Sequence, residues 1–287
     1  MDISIIVPCF NEVENVSKIN SELMPVVRDL AENRSVEVIF VNDGSTDGTM
    51  EALQNEFQNE NMPKIKIKFA DNHGNWGLGK AVRTGFEAST GDIIVTTDSD
   101  GTYKFEHIKD LLKYLTPDVD IVTASPYHPL GDVVGVPQYR LILSQGSSFI
   151  YRMLVNWGIH TYTCLFRAYR REVIETIPFI SNGFLAGTEL LVKSMLHGYK
   201  VAEYPAVLYR RVYGVSKARL LRTILAHLRF QWSIFLHRIH LISLVARNNT
   251  QPIFKTKYSL KTNRVKIFTH PDYQQDKKSL YPSNIYP

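Results

Sequence analysis

Cysteine is nearly absent from the sequence. Cys9 and Cys164 are the two in 287 residues, and they fit neither a C-x-x-C pair nor a metal-ligand spacing. A disulfide framework is therefore not expected, and a reducing compartment is. Long hydrophobic runs are missing too. The most apolar region, after Leu220, is interrupted by Arg222, His227, Arg229, His237, Arg238 and His240, so no window of about eighteen residues could cross a bilayer uncharged. The opening MDISIIVPCFNE carries an acid at position 2 and too short an apolar run for a signal or transit peptide, which places the expected location in the cytoplasm. Neither an internal repeat nor a low-complexity tract is present. Nor is there a large excess of one charge: 33 Lys and Arg stand against 28 Asp and Glu, a net +5. That balance is compatible with an anionic partner such as a phosphorylated ligand or lipid headgroups, and no nucleic-acid partner is expected.

What is present is an ordinary globular composition, 44% hydrophobic and 21% charged, long enough for one large or two small domains. Apolar runs of strand length at 3–7, 36–41, 65–69, 93–97 and 121–124 alternate with helix-like stretches, a pattern that predicts an α/β fold with a mostly parallel sheet. Val16, Ile19, Leu23, Val27 and Leu30 mark one core-facing helical stripe. After residue 120 the pattern becomes mixed α+β. A Pro- and Gly-containing loop, SPYHPLGDVVGVPQ, is followed by a predicted helix over 138–157, a strand around TCLFRAYR, a helix over 188–197 and a strand over 200–209. A long helix is predicted from Ala218 to about Arg247, and the tail, 249–287, has weak periodicity and Pro252, Pro271, Pro282 and Pro287.

In open parallel sheets, ligands bind beyond the carboxyl ends of the strands. Here those ends carry Pro8, Cys9, Phe10, Asn11 and Glu12; Asn42, Asp43, Gly44 and Ser45; Asp71, Asn72 and His73; and Asp98, Ser99 and Asp100. Gathering Glu12, Asp43, Asp71, Asp98 and Asp100 on one edge concentrates negative charge, which a divalent cation would relieve. A D-x-D pair alone says little, since Asp118 and Asp120 form a second one. That pair precedes its strand, whereas Asp98 and Asp100 follow theirs and lead into Gly101, which frees the backbone to turn. Two hard carboxylates suit Mg²⁺ or Mn²⁺ and leave coordination positions for phosphate oxygens. HGNWGLGKAV matches G-x-x-x-x-G-K, but Ala81 stands where a P-loop needs Ser or Thr, which argues against an ATPase. Its glycines still permit close backbone approach to a ligand, and Lys80 and Arg83 could reach phosphate.

Taken in order, VPCFNEVENV, VNDGSTDGT, NWGLGKAVRTGF, TGDIIVTTDSDGTY, TCLFRAYR, NGFLAGTELL and RVYGVSK resemble family 2 glycosyltransferases of the GT-A fold, and among them the dolichyl-phosphate mannose synthase type. The resemblance covers roughly residues 3 to 218. It implies a nucleotide-sugar-binding half over 1–124 and an acceptor half over 125–218, with 219–248 a basic amphipathic helix. It also implies an inverting, metal-dependent transfer of a hexose from a nucleotide diphosphate sugar of the GDP-mannose or UDP-glucose type. Pro8, Phe10, Glu12 and Asp43 would hold base and ribose, with Asp71, Lys80 and Ser99 also in the donor-binding set, and Asp98 and Asp100 would hold the metal. Arg211, Ser216 and Lys217 of R-x-x-G-x-S-K resemble a loop that closes over the diphosphate. Arg167 matches an arginine beside the pocket, with a basic strand edge as the alternative. Glu189 matches an acid facing the acceptor, where it would act as a base for a hydroxyl acceptor or else cap or pair on its own helix. A polyprenyl phosphate is the acceptor the resemblance favours, with a soluble or glycan hydroxyl as the alternative, and a non-catalytic nucleotide-sugar-binding scaffold is the rival reading of the chain. Two departures stand out: Gly101 and Thr102 replace the usual Leu-Gln after D-x-D, and Pro126 replaces the arginine of S-R-Y, for which Arg140, Arg152 or His128 could substitute.

On the predicted helix from 218, Leu221, Ile224, Leu225, Leu228, Trp232, Phe235, Ile239, Ile242 and Ala246 form one stripe, and Arg222, Arg229, His240 and Arg247 another. Such a helix suits the interface of an anionic membrane, at its cytoplasmic side, or packing on its own domain or a dimer partner.

Overall fold

The computed structural model describes residues 2–57, 60, 62–211 and 220–245, together with the backbone of a short strand at Lys266–Ile267. The predicted loop residues Ser216 and Lys217, and the tail apart from that strand, lie outside the described residues.

The first half alternates as predicted: β1 (Ile3–Cys9), α1 (Val16–Ala31), β2 (Val36–Asn42), α2 (Thr49–Phe57), β3 (Ile65–Asp71), α3 (Leu78–Ala88), β4 (Ile93–Thr96), α4 (His107–Tyr114) and β5 (Ile121–Ser125). There follow β6 (Asp132–Val134), α5 (Gln138–Leu154), β7 (Arg167–Arg170), α6 (Arg171–Thr176), α7 (Ala186–His197), β8 (Val201–Pro205), β9 (Val207–Tyr209), α8 (Leu220–Arg238) and β10 (Lys266–Ile267). The main sheet runs β10-β8-β5-β7-β4-β1-β2-β3. All its pairings are parallel except those of β7, which runs antiparallel to both β4 and β5.

The sheet is covered on both faces, which explains why its central strands read as continuous apolar runs instead of alternating ones. Ile3, Ile5 and Val7 of β1 pack with Ile19 and Leu23 of α1, Leu53 of α2 and Leu111 of α4. Ile6, on the opposite face, packs with Val82 and Phe86 of α3 and Leu190 and Leu191 of α7.

One buried carboxylate ties three elements together at the far edge from the ligand side. Glu37 on β2 accepts from Ser4 Oγ (2.6 Å), the Thr90 backbone N–H (2.5 Å) and Lys68 Nζ (2.6 Å). Burial opposes its charge, but these donors outweigh burial and draw its pKa from 4.5 down to about 2. A carboxylate whose pKa is depressed by folding stabilises the fold above its ordinary pKa, and that contribution disappears as pH falls through the folded value. Glu37→Gln is accordingly expected to cost about 1–3 kcal/mol near neutral pH. In urea titrations the gap from wild type should close between pH 4.5 and about 2.

Three expectations need correction. The strand predicted over 200–209 is two strands, β8 in the main sheet and β9 paired with β6 in a separate two-stranded sheet; the loop SPYHPLGDVVGVPQ supplies β6. The helix predicted over 138–157 ends at Leu154, where Arg238 donates from Nε to the Leu154 carbonyl (2.7 Å) and from Nη2 to that of Val155 (2.8 Å). The helix predicted to Arg247 ends at Arg238, because His240 takes a left-handed conformation (φ 61°) and Leu241 N–H closes back on the Leu236 carbonyl. α8 docks on α5 through Tyr151 Oη and His227 Nδ1 (3.0 Å) and through Gln231 Nε2 donating to Ser147. Burial lowers the His227 pKa to about 4, so this contact is between neutral groups. No helix among the described residues is long and apolar enough to cross a membrane.

Candidate active site

The predicted strand ends do converge. Pro8, Phe10, Glu12, Asp43, Asp98, Ser99, Asp100 and Arg211 all line one cleft of about 600 Å³ at the carboxyl edge of the sheet, a size that suits a small-molecule ligand. Asp118 and Asp120 lie at the opposite end of β5, where Asp120 accepts from the Lys200 N–H (2.8 Å).

The loops after β1 and β2 are stitched to each other. Asn11 donates its backbone N–H to Ser45 Oγ (3.0 Å) and accepts the Thr46 N–H (2.8 Å), while the Glu12 N–H reaches Thr49 Oγ1 (2.8 Å). Glu12, buried, accepts from Asn15 Nδ2 (2.6 Å). Asp43, also buried, accepts from Asn72 Nδ2 (2.8 Å) and from the backbone N–H groups of Trp76 (3.3 Å) and Gly77 (2.7 Å). It therefore shapes the 72–77 wall of the cleft. Asp71 turns away to accept from Asn42 and the His73 N–H, and neither it nor the half-buried Lys80 lines the cleft. The glycines of NWGLG admit protein backbone, and Gly77 also lines the cleft. A Cβ on Gly77 would come within 2.6 Å of the Asn182 carbonyl, and one on Gly79 would collide with that of Ser181. Arg83 is likewise committed to this loop, donating to Ser181 O and Asn182 Oδ1.

Asp100 accepts the Thr102 N–H (3.0 Å) and forms a very short ion pair with Arg211. The turn between them uses Gly101 at φ 70°. Burial lifts the Asp98 pKa well above the ordinary carboxylate range; Asp100 and Glu12 push the same way, and Arg211 opposes them. Two carboxyl groups held in one poorly solvated pocket, where their like charges oppose each other, form a site that a hard divalent cation fits. Among the described residues no group of three or more His, Cys, Asp or Glu side chains is arranged to hold a metal, so the pair would share an ion with ligand oxygens.

Asp98 also borders a second cavity of about 190 Å³ that the sequence did not reveal. Its wall includes Tyr103, Tyr127, Ser144, Thr161 and Thr163, with the hydroxyls of Ser144 and Thr163 2.6 Å apart, and among the described residues it carries no Lys, Arg or His. Cys164 also lines it, and burial pushes that thiol up to about 11, leaving it unreactive. Of the three proposed stand-ins for the missing arginine, Arg152 stacks on Trp157 and His128 is buried off both cavities. Arg140 is exposed one helical turn before Ser144.

Two predicted site residues face the protein. Arg167 has no exposed surface; it donates from Nε to Thr123 Oγ1 (3.0 Å), from Nη2 to the Tyr162 carbonyl (2.7 Å) and from Nη1 to that of Gly187. These bonds join β7, β5 and α7. Glu189 accepts from the N–H groups of Ile180 and Ser181 (2.9 Å) and from Lys193 Nζ (2.5 Å). Burial opposes ionisation, yet Lys193 and Ser181 lower its pKa overall, the opposite of what a general base near neutral pH requires. It pins the 180–185 loop that walls the cleft. Glu189→Gln is expected to lower the unfolding midpoint and weaken donor binding several-fold while leaving the pH profile of kcat unmoved, which stopped-assay kinetics from pH 5 to 8 would check.

The family model for "Glycosyl transferase family 2" matches residues 4–177. The chain is 32% identical over 219 residues to the polyprenol monophosphomannose synthase of Mycolicibacterium smegmatis, covering 74% of this chain and 79% of that one. It is 30% identical over 252 residues to the dolichol-phosphate mannosyltransferase of Pyrococcus furiosus, covering 85% and 68%. Among solved structures, the mannosyl-3-phosphoglycerate synthase of Rubrobacter xylanophilus superposes with a TM-score of 0.60 at 17% identity, over 88% of this chain and 79% of that one. The glucosyl-3-phosphoglycerate synthase of Mycobacterium tuberculosis, in complex with Mn²⁺, UDP-glucose and phosphoglyceric acid, superposes with a TM-score of 0.58 at 18% identity, over 86% and 81%. The sheet with its reversed β7, the carboxylates at its edge and these likenesses agree: the chain belongs to glycosyl transferase family 2.

Proposed function

We propose that this glycosyltransferase moves a hexose, with inversion, from a nucleotide diphosphate sugar to a polyprenyl phosphate at the cytoplasmic face of a membrane. The observation that carries the reading is the placement of Asp98 at the junction of the large cleft and the inner cavity, so that one carboxylate borders both a nucleotide-sized and a sugar-sized space. Pro8, Phe10, Glu12 and Asp43 bind the base and ribose from the edge of β1 and β2. Asp98 and Asp100 would hold Mg²⁺ or Mn²⁺, which when bound neutralises charge on the leaving diphosphate. Arg211, already beside Asp100, adds a donor fork suited to phosphate oxygens, with Ser216 and Lys217 assigned to the same role. The hydroxyl-lined cavity excludes bulk water and hydrogen-bonds the hexose.

Two further features favour a phosphate acceptor. A phosphate monoester oxygen is ionised near neutral pH and needs no base to become a nucleophile, and Glu189, the acid offered for that task, is committed to the 180–185 loop. The paired helices also present a surface suited to anionic lipid. Ile142, Phe149 and Met153 of α5 and Trp232 and Phe235 of α8 are exposed, and no Asp or Glu occurs between Asp132 and Glu172 or between Glu203 and Asp272. The named relatives support the same acceptor class.

The test is an assay of the purified full chain with Mn²⁺, offering GDP-mannose or UDP-glucose labelled in the sugar against polyprenyl phosphate and against soluble glycans. Label entering the organic phase only with polyprenyl phosphate supports the reading. Label reaching a glycan hydroxyl instead overturns the acceptor, and failure to bind any donor would leave a scaffold. Flotation with phosphatidylglycerol vesicles tests the membrane contact; a concentration-dependent doubling of mass without flotation would assign the face to a second copy.

A further inference from the structure

We infer that α8 supplies the acceptor subsite, with Arg222 binding the acceptor phosphate and the ridge Leu221, Leu225 and Leu228 carrying the first part of its isoprenoid chain. The inference rests on the polyprenyl phosphate reading.

Among the described residues the wall of the inner cavity has no cation to hold the phosphate by charge. Arg167 is fully buried, donates to three protein acceptors and does not line the cavity, and Pro126 stands where the resemblance leads one to expect an arginine. At the large cleft, Arg211 already pairs with Asp100. Among the described residues, the other cation on that wall is Arg222, which lines the cleft beside Thr223 and Ala226. Spacing of three and four residues keeps Arg222 and Ala226 on one side of the helix. The same rule places Leu221, Leu225 and Leu228 on a neighbouring ridge, and that ridge is open, with exposures of 77%, 51% and 50%. A headgroup cation and an apolar track therefore leave the cleft together along about 10 Å of helix. No carboxylate on α8 competes for the anion. The combination matches a lipid monophosphate, with the charge read at the cleft and the chain led outward to the exposed face formed with α5.

The experiment uses the full chain in detergent with Mn²⁺, a saturating sugar nucleotide, and two acceptors, a C55 polyprenyl phosphate and geranyl phosphate. Arg222→Gln should raise the acceptor KM about 10- to 100-fold for both acceptors, with donor affinity by calorimetry within about twofold and Arg222→Lys recovering part of the loss. Leu225→Ser with Leu228→Ser should raise KM for the C55 acceptor alone. Arg229→Gln, on the same helix and off the cleft, should leave the acceptor KM within about twofold. Equal effects of the Arg222 and Arg229 changes would reduce Arg222 to general attraction and overturn the subsite, as would a change in donor affinity with acceptor KM unmoved. Thermal melts within a few degrees of wild type establish that each variant is folded. If wild type uses polyprenyl phosphate and Arg222→Gln is unaffected, only the subsite fails; if wild type transfers to neither lipid phosphate, the acceptor reading itself fails.

Discussion

Asp98→Asn is expected to abolish transfer, lowering kcat by about 10³-fold or more, while leaving the apoprotein as stable as wild type or a few degrees more so. The two effects have one cause. Removing a carboxylate that would hold a charge-neutralising cation withdraws several kcal/mol from stabilisation of the leaving group. In metal-free protein the same carboxylate is a burden, because burial and the charges of Asp100 and Glu12 oppose its ionisation; asparagine is near-isosteric and uncharged, so folding is relieved of that repulsion. Activity with Mn²⁺ and thermal melts in EDTA would check both halves. Asp100→Asn separates the roles, since it should lose activity to a similar extent while also releasing Arg211 from its ion pair. A variant of Asp98 that retained transfer at a tenth of the wild-type rate would remove the metal-holding role from this residue.

Arg167→Met is expected to be among the most destabilising single changes in the chain. The guanidinium is fully buried and satisfies Thr123, Tyr162 and Gly187 at once, so a thioether of similar length leaves two carbonyls and a hydroxyl without their donor. Leaving a buried acceptor without its donor costs about 1–3 kcal/mol, and three are affected at once, which should be visible as a large drop in the urea midpoint. Arg167→Lys should recover little, because one ammonium cannot span acceptors on three segments. If Arg167→Met kept its midpoint and lost donor affinity, the arginine would have to be moved back into the ligand-contact set.

Arg167 also shows where sequence reading stops. β1 to β5 are legible because both faces of their sheet are covered, which produces unbroken apolar runs, and because each run ends at a cluster of polar residues. The cleft carboxylates are legible for the same reason: Asp98 and Asp100 sit at a strand's carboxyl end and Asp118 and Asp120 before one. A charge on β7 gives no local sign of whether it meets a ligand or a carbonyl. Pairing of Glu189 on its own helix was an open alternative, which Lys193 four residues on fulfils, but the N–H groups of Ile180 and Ser181 are brought over only by tertiary folding. The inner cavity was hidden because Ser144 comes from α5 and Thr161 and Thr163 from the segment before β7, groups that meet only because that strand reverses. The end of α8 escaped because its apolar stripe continues past the left-handed turn at His240, so periodicity alone extends the helix.

The reversed β7 also governs the order of events during synthesis. Strands β4, β1, β2 and β3 are complete once residue 96 has emerged, and every pairing among them lies within that length. β5 has no hydrogen-bonded partner among them; it joins the sheet through β7 on one side and β8 on the other. At about 5–20 residues per second, the nascent chain therefore spends seconds with the edge of β4 and the whole of β5 unpaired, until residues 167–170 leave the ribosome and bridge them. Slow translation of 126–166 would prolong the exposure of two apolar strand edges, and that interval is where chaperone binding or mispairing would act on this fold.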